Sequence, residues 1–231
     1  MTKHEAIPSW IHGLEEYEQM FDLKPDDYTK SILDFPGSIS SFNADVSLKA
    51  QRVVSGDAIY GMSFEEVENY AHRLMKLNCE HLTEHADQVL KLGKSALEPI
   101  FAMWKDNYSR FLDDYVAGKM QSRYQQVLMP ELPYETHEFQ LALCSDYVFN
   151  RHAQNDCKPE QVVSELCRVA EEVRIFPLLT EEGDISEWLG PLMLDLQNRN
   201  HGIEIRQVSF ENVKGGNAML RAWALECVVE Q

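Results

Sequence analysis

The sequence predicts an α/β protein: a seven-stranded, mostly parallel sheet ending in a C-terminal antiparallel hairpin, with a helical insertion and an N-terminal helical lid. Three observations predict it. Short apolar runs alternate with helical stretches from Ser31 onward. One run, FQLALCSDYVF (139–149), is apolar on both faces, as a strand covered by helices on both sides must be. The last two runs are linked by VKGG (213–216) rather than by a helix, which reads as a hairpin turn. The 231 residues suit a single domain, with residues 1–28 as the lid and 61–117 as the insertion.

The elements follow in order. Residues 8–23 place Trp10, Leu14, Tyr17 and Phe21 on one side of a short helix, interrupted by Pro25 and the Asp26-Asp27 pair. SILDF (31–35) is the first strand, SSFNADVSLKA (40–50) a helix that Ser40 or Ser41 can cap, and RVVSGD (52–57) the second strand. The insertion then opens at Ser63 with Glu66 three residues on, a capping box. Its second segment carries Trp104, Tyr108, Phe111 and Tyr115 at helical spacing and should stop at Gly118. RYQQVL (123–128) is a short third strand, and 139–149 the fourth. KPEQVVSELCRVAEE (158–172) is a helix with Pro159 in its first turn, VRIFPLL (173–179) a strand, and 185–199 a helix kinked at Gly190-Pro191. Strands at 203–212 and 217–229 complete the hairpin.

The net charge of −17 argues against nucleic acid or an anionic membrane surface as partner, because both need clustered Lys and Arg. A neutral or cationic small molecule suits it better. Five cysteines without a CxxC pair read as reduced thiols rather than a zinc site or disulfide frame. With no apolar run long enough to span a bilayer and no signal-peptide core in MTKHEAIPSW, the expected location is the cytoplasm.

In an open parallel sheet the ligand lies at the carboxyl ends of the strands, beside the first one. That places Asp34 to Phe42 at the site. A dinucleotide loop needs several glycines there so that backbone can approach a pyrophosphate. This loop has one, Gly37, so the ligand expected carries no pyrophosphate. Asp57 ends the second strand, twenty residues after Gly37, where a carboxylate can accept both hydroxyls of a ribose. Adenosine with an unphosphorylated tail satisfies both conditions, and S-adenosyl-L-methionine (SAM) is such a molecule.

The stretches EYEQMFDL, ILDFPGSISSFNAD, RFLDDYVAGKMQSRY, LPY, FQLALCSDYVF, ELCRVAEEVRIFPLL and GGNAMLRAW resemble, in the same order and over nearly the whole chain, a bacterial family of small class I (Rossmann-like) SAM-dependent methyltransferases. The resemblance implies that Asp34, Phe35, Pro36 and Gly37 lie under the methionine part of SAM. It implies that Asp57 holds the ribose, with Ala58, Ile59 and Tyr60 against the adenosine and Leu128 beside the adenine. Cys144, Ser145, Asp146 and Tyr147 would face the sulfonium and the acceptor. The chain departs from the family's glycine-rich DCGGGPSSF with DFPGSISSF, and from its apolar LFLY with YVFNRH.

Methyl transfer is an in-line displacement that depends chiefly on alignment and exclusion of water, with a general base needed only where the acceptor loses a proton early. Asp146 and His152 are candidates for that base. Tyr17, Tyr147 and Phe149 can face the sulfonium with their π systems. Asn150 adds a polar group at the reaction centre. Arg110, Arg123 and Asn217 are candidates for binding the acceptor, Arg123 through bidentate contact with a carboxylate. The expected function is methyl transfer to a small molecule. The alternatives are an enzyme that cyclises or cleaves SAM as its sole substrate, releasing methylthioadenosine, and a SAM-binding protein without turnover.

Overall fold

The structure is a computed structural model that describes residues 10–150, 157–180 and 183–225. Seven strands, β1 (Ser31–Asp34), β2 (Arg52–Asp57), β3 (Tyr124–Gln126), β4 (Phe139–Ser145), β5 (Ala170–Phe176), β6 (His201–Gln207) and β7 (Ala218–Ala224), form one sheet. Its order is β3-β2-β1-β4-β5-β7-β6. β1 to β5 pair in parallel, and β7 runs antiparallel to both β5 and β6. This is a Rossmann-like, mostly parallel sheet closed by an antiparallel pair. The chain leaves β1 toward β2 on one side and returns to β4 on the other, which opens a crevice at the carboxyl ends of these two strands.

Alternation along β1 sends Ile32 and Leu33 to opposite faces. On one face Leu33, Val54, Ala142 and Val173 pack against α5 (Pro159–Val169) and α6 (Leu189–Asn198) through Val162, Leu166, Leu192 and Leu196. On the other, Ile32, Val53, Leu141 and Leu143 meet Tyr17 and Met20 of α1 (Leu14–Met20), Phe21 just after it, and Phe42 and Val46 of α2 (Phe42–Val46). The insertion is a pair of long helices, α3 (Phe64–Val89) and α4 (Leu97–Met120), joined to the domain through Tyr60, Trp104, Phe111, Tyr115 and Tyr124. Ser63 and Glu66 make the capping box at the start of α3.

The N-terminal segment is fixed to the sheet. Arg174 of β5 is buried and donates to both oxygens of Asp27, at 3.0 Å each, and to the Phe21 carbonyl at 2.9 Å. Breaking such a buried pair typically costs about 3–5 kcal/mol, because it strands the other charge. Residues 10–13 continue from this anchored part across the mouth of the sheet. There the His12 carbonyl accepts from Ser41 N–H and Ser40 Oγ–H, and the Ile11 carbonyl accepts from Asn107.

Several local expectations change. The helix expected over 158–172 ends at Val169 and β5 begins at Ala170 rather than at Val173, because Ala170 and Glu172 pair with Phe139 and Leu141 of β4. α2 is shorter than residues 40–50, because the Val46 carbonyl accepts from both Lys49 and Ala50 N–H and the chain drops into β2. α4 passes through Gly118 to Met120; the missing side chain there admits the Tyr124 ring, which an added Cβ would meet at 2.3 Å. α6 starts at Leu189, so Gly190 and Pro191 fall in its first turn, where Pro lacks only an N–H that has no helical partner. The link between β6 and β7 is not a tight turn. Residues 208–217 leave the sheet and pair with the end of α3, Lys91 N–H donating to Asn212 O and Lys214 N–H to Val89 O.

Candidate active site

The loop after β1 is held by its own side chains. Asp34, 1% exposed, accepts from Tyr17 Oη–H and Ser55 Oγ–H, each at 2.7 Å. Asn43 donates to Ser55 Oγ at 3.1 Å, and Ser145 Oγ lies 3.3 Å from the Tyr17 hydroxyl. Burial raises the Asp34 carboxyl to about 7 against the pull of the Ser55 and Tyr17 hydroxyls, and the nearby Asp57 charge adds to the rise. Asp57, at the end of β2, accepts from Ser38 N–H at 2.9 Å and Ile59 N–H at 3.0 Å. Burial raises its pKa, and these amides draw it back down. Tyr60 closes the underside by donating to Ser38 O at 2.8 Å. Gly37 is required by this closeness: a Cβ there would stand 2.3 Å from the Tyr60 hydroxyl and 2.7 Å from Ser55 Cβ.

The end of β4 looks onto a cavity of about 80 Å³. Its walls come from residues 10–12, from α3 and α4, from the segments after β4 and β5, and from the β6–β7 connection, which contributes Phe210, Val213 and Gly216. Asp146, with φ +53, follows β4 and accepts from the ring of His12, Nε2 to Oδ2 2.9 Å. His12 is 2% exposed and is packed edge-on by Phe210 at 5.7 Å and Tyr17 at 6.2 Å. Among the described residues its Nδ1 has no hydrogen-bond partner, and the same is true of Trp104 Nε1 and Thr180 Oγ1; all three residues line this cavity.

The structure thus brings Asp146, Tyr147, Asn150 and Phe149 together at one cavity. It places Tyr17, Pro36, Gly37 and Ser145 around a narrower polar cleft beside it. Phe35 is buried, with its ring 5.0 Å from that of Tyr147. Cys144 is fully buried, and burial drives its thiol pKa far up. Ala58 is exposed and Ile59 buried next to Asp57, while Leu128, two residues after β3, is 59% exposed and bridges to Glu131. Three expected acceptor contacts lie elsewhere. Arg110 pairs with Asp45 at 2.8 Å and with Asp106. Arg123 is held by both oxygens of Asp114 at 2.7 Å and by Asn43. Asn217 receives Val208 N–H on its carbonyl and is outside the cavity lining. His152 and Cys227 lie outside the described residues. His12, Trp104 and Thr180 were not singled out for the site by sequence. His12 meets Asp146 across 134 residues, a pairing that no local spacing encodes.

At the ribose end these residues fit SAM. Asp57 is only partly buried and sits where the sugar hydroxyls are expected, and each oxygen keeps a lone pair after the Ser38 and Ile59 bonds. At the methionine end the cleft between Tyr17, Pro36–Ser38, Ser40 and Ser145 is narrow. Trp10 and His12 cover it and leave room for about one water. No helix among the described residues is long and apolar enough to cross a membrane.

No family model matches the chain. Over 214 residues it is 28% identical to an uncharacterised protein of Methanocaldococcus jannaschii, covering 90% of this chain and 92% of that protein. That relative is archaeal, whereas the family resembled in sequence is bacterial. Among solved structures the chain is similar to a SAM-dependent methyltransferase from Aquifex aeolicus, at 14% identity over 90% of this chain and 92% of that one, with a TM-score of 0.44. It is also similar to a SAM-dependent methyltransferase from Methanosarcina mazei, at 11% identity over 86% and 93%, TM-score 0.46. A third is a SAM-dependent methyltransferase from Thermotoga maritima described as a possible histamine N-methyltransferase, at 10% identity over 92% and 88%, TM-score 0.45.

Proposed function

We propose that the protein is a SAM-dependent methyltransferase acting on a small molecule held in the cavity beyond β4. The observation that carries this reading is the His12–Asp146 pair at the edge of that cavity, beside the crevice that Asp57 overlooks. SAM, when bound, supplies an electrophilic methyl group. Asp57 accepts the ribose hydroxyls, and Ala58 and Ile59 border the nucleoside. Asp146 accepts the Nε2 proton of His12 and so fixes the tautomer and position of the ring at the cavity edge. Asp146 then orients His12, and the transfer depends on the alignment of the acceptor in the cavity. Tyr147, Phe149 and Phe210 keep water from the reacting atoms. A separate cavity beyond the cleft favours a second substrate over an enzyme that consumes SAM alone.

One observation favours a second reading, a small-molecule-binding protein that has lost SAM: Trp10 and His12 cover the methionine cleft. Calorimetry with SAM and S-adenosylhomocysteine decides between them. The expected result is binding by the wild type and at least about tenfold weaker binding by Asp57→Ala, since charged hydrogen bonds contribute roughly 1.5–3 kcal/mol each. A well-folded wild type that binds neither compound sinks the methyltransferase reading. Methylthioadenosine formed from SAM alone would point to the sole-substrate enzyme.

A further inference from the structure

We infer that the cavity beyond β4 binds a small alkylammonium ion, its N–H groups donating to the open oxygen of Asp146 and its charge lying beside the ring of Trp10. This rests on reading the cavity as the acceptor site. It names the chemical class that site takes.

The carboxylate comes first. His12 Nε2 occupies Oδ2 of Asp146 at 2.9 Å. Oδ1 takes no hydrogen bond among the described residues, yet it is not one of their buried polar atoms without a partner, so it keeps accessible surface. The Asp146 side chain is 13% exposed against 3% for His12, and Asp146 lines both the cavity and the polar cleft beside it. Trp10 lines the same two spaces and lies parallel to His12, ring centroids 6.2 Å apart with 4° between the planes. An ion that reaches Oδ1 has as its neighbour an indole ring, the best of the side-chain faces for a cation.

Charge narrows the class. No Lys or Arg lines the cavity among the described residues, so nothing there compensates an anion. His81 lines it too; burial, with the His85 charge, lowers its pKa and so removes a competing positive charge. A neutral alcohol would leave the Asp146 charge unanswered. The net charge of −17 raises the local concentration of cations over that of anions. Size limits the body. About 80 Å³ is roughly half the apolar cavity that takes a benzene ring, which suits a short alkyl chain against Phe149, Phe176 and Phe210. Methyl transfer to nitrogen needs a lone pair. The ammonium gives one proton to Asp146 Oδ1, the electron pair of that N–H bond stays on nitrogen, and the carboxylic acid returns the proton to water.

The test is an NMR titration of the full chain with butylamine, butanol and butyrate at about pH 7.5, where an alkylamine is protonated. It is read on the indole N–H signals of the tryptophans. Butylamine is expected to shift Trp10 and Trp104, which line the cavity, and to leave Trp188 and Trp223 in place. It is expected to bind at least about tenfold more tightly than butanol or butyrate. Asp146→Asn is expected to shrink the preference for butylamine over butanol to less than about threefold. Trp10→Leu, read on Trp104, is expected to weaken butylamine severalfold and to change butanol less than about twofold. Butanol within about threefold of butylamine, tighter binding of butyrate, shifts confined to Trp188 or Trp223, a preference unchanged in folded Asp146→Asn, or no binding by any of the three overturns the inference. The wild-type ranking decides alone if a variant does not fold. Butylamine binding without SAM binding keeps this site and removes methyl transfer. SAM binding with butanol equal to butylamine does the reverse.

Discussion

Asp34 ends β1 and Asp146 follows the neighbouring strand β4, and their surroundings differ in kind. Asp34 is enclosed, with both oxygens accepting from hydroxyls that are themselves bonded onward to Asn43 and Ser145. Asp146 has one strong partner, His12, whose other nitrogen is buried and has no partner among the described residues. The contrast extends along the edge. Beyond β1 and β2, the Asp57 carboxylate, the Ser38 carbonyl and the Tyr60 hydroxyl are all paired within the chain. Beyond β4 and β5, three buried polar atoms stay unpaired among the described residues. Each such atom costs roughly 1–3 kcal/mol. A chain that bears this cost beside the cavity, and pairs its polar atoms around the loops after β1 and β2, holds those loops in shape and leaves the cavity for a ligand to complete.

The largest expected effect probes the support. The Asp34 carboxyl rises from 3.8 to about 7, burial being the main cause. A carboxyl whose folded pKa is raised binds its proton more tightly when folded. Its contribution to stability is therefore complete below about pH 4 and is lost as pH climbs to about 7, by something of order 4 kcal/mol. Asp34→Asn cannot ionise. Urea denaturation from pH 4.5 to 8 should show the variant gaining on the wild type steadily across this window and no further above it. Parallel stability profiles for the two proteins would show that Asp34 is already compensated.

A smaller effect is expected at Gly37. Alanine there must displace the Tyr60 hydroxyl from Ser38 O and push on Ser55, a rigid neighbour that carries the Asp34 bond. Overpacking of this kind costs about 1–3 kcal/mol, read as a lowered urea midpoint. Tyr60→Phe combined with Gly37→Ala should recover part of the loss, because the clashing atom is gone. A loop shaped instead to leave space for a ligand would take alanine without cost.

Much of this framework could be read from the residues. Apolar runs at 31–35, 52–57, 139–149 and 173–179 gave the parallel core to within a few residues at each end, and Ser63 with Glu66 gave the start of α3. These signals are local: strand alternation, a cap, a proline in a first turn. The β6–β7 connection was not legible, because its partners, Val89 to Lys91, stand more than a hundred residues away. The same limit applies to the site. Strand-end position marked Asp146, Tyr147 and Asn150, which do line the cavity. It could not mark His12, nor show that Arg110 and Arg123 are taken by Asp45 and Asp114, since a charge reveals nothing of its partner until the chain is folded.

The smallest expected effect is the sharpest test of the contrast. Thr180→Val keeps the shape of the side chain and removes a buried hydroxyl that has no partner among the described residues. Nothing made in the folded protein is lost, and a desolvated polar group disappears. The variant should match the wild type in thermal stability or exceed it by up to about 1 kcal/mol. Ser55→Ala is the opposite case: it removes a donor from a buried carboxylate and an acceptor from Asn43, and should cost about 1–3 kcal/mol at pH 8. The two substitutions are chemically alike, each deleting one buried hydroxyl within reach of the same crevice. Opposite signs in thermal melting would mean that the polar atoms around the cavity are held for something other than the fold. Equal losses would mean that Thr180 has a structural partner, and the division between support and ligand site would fail at its weakest point.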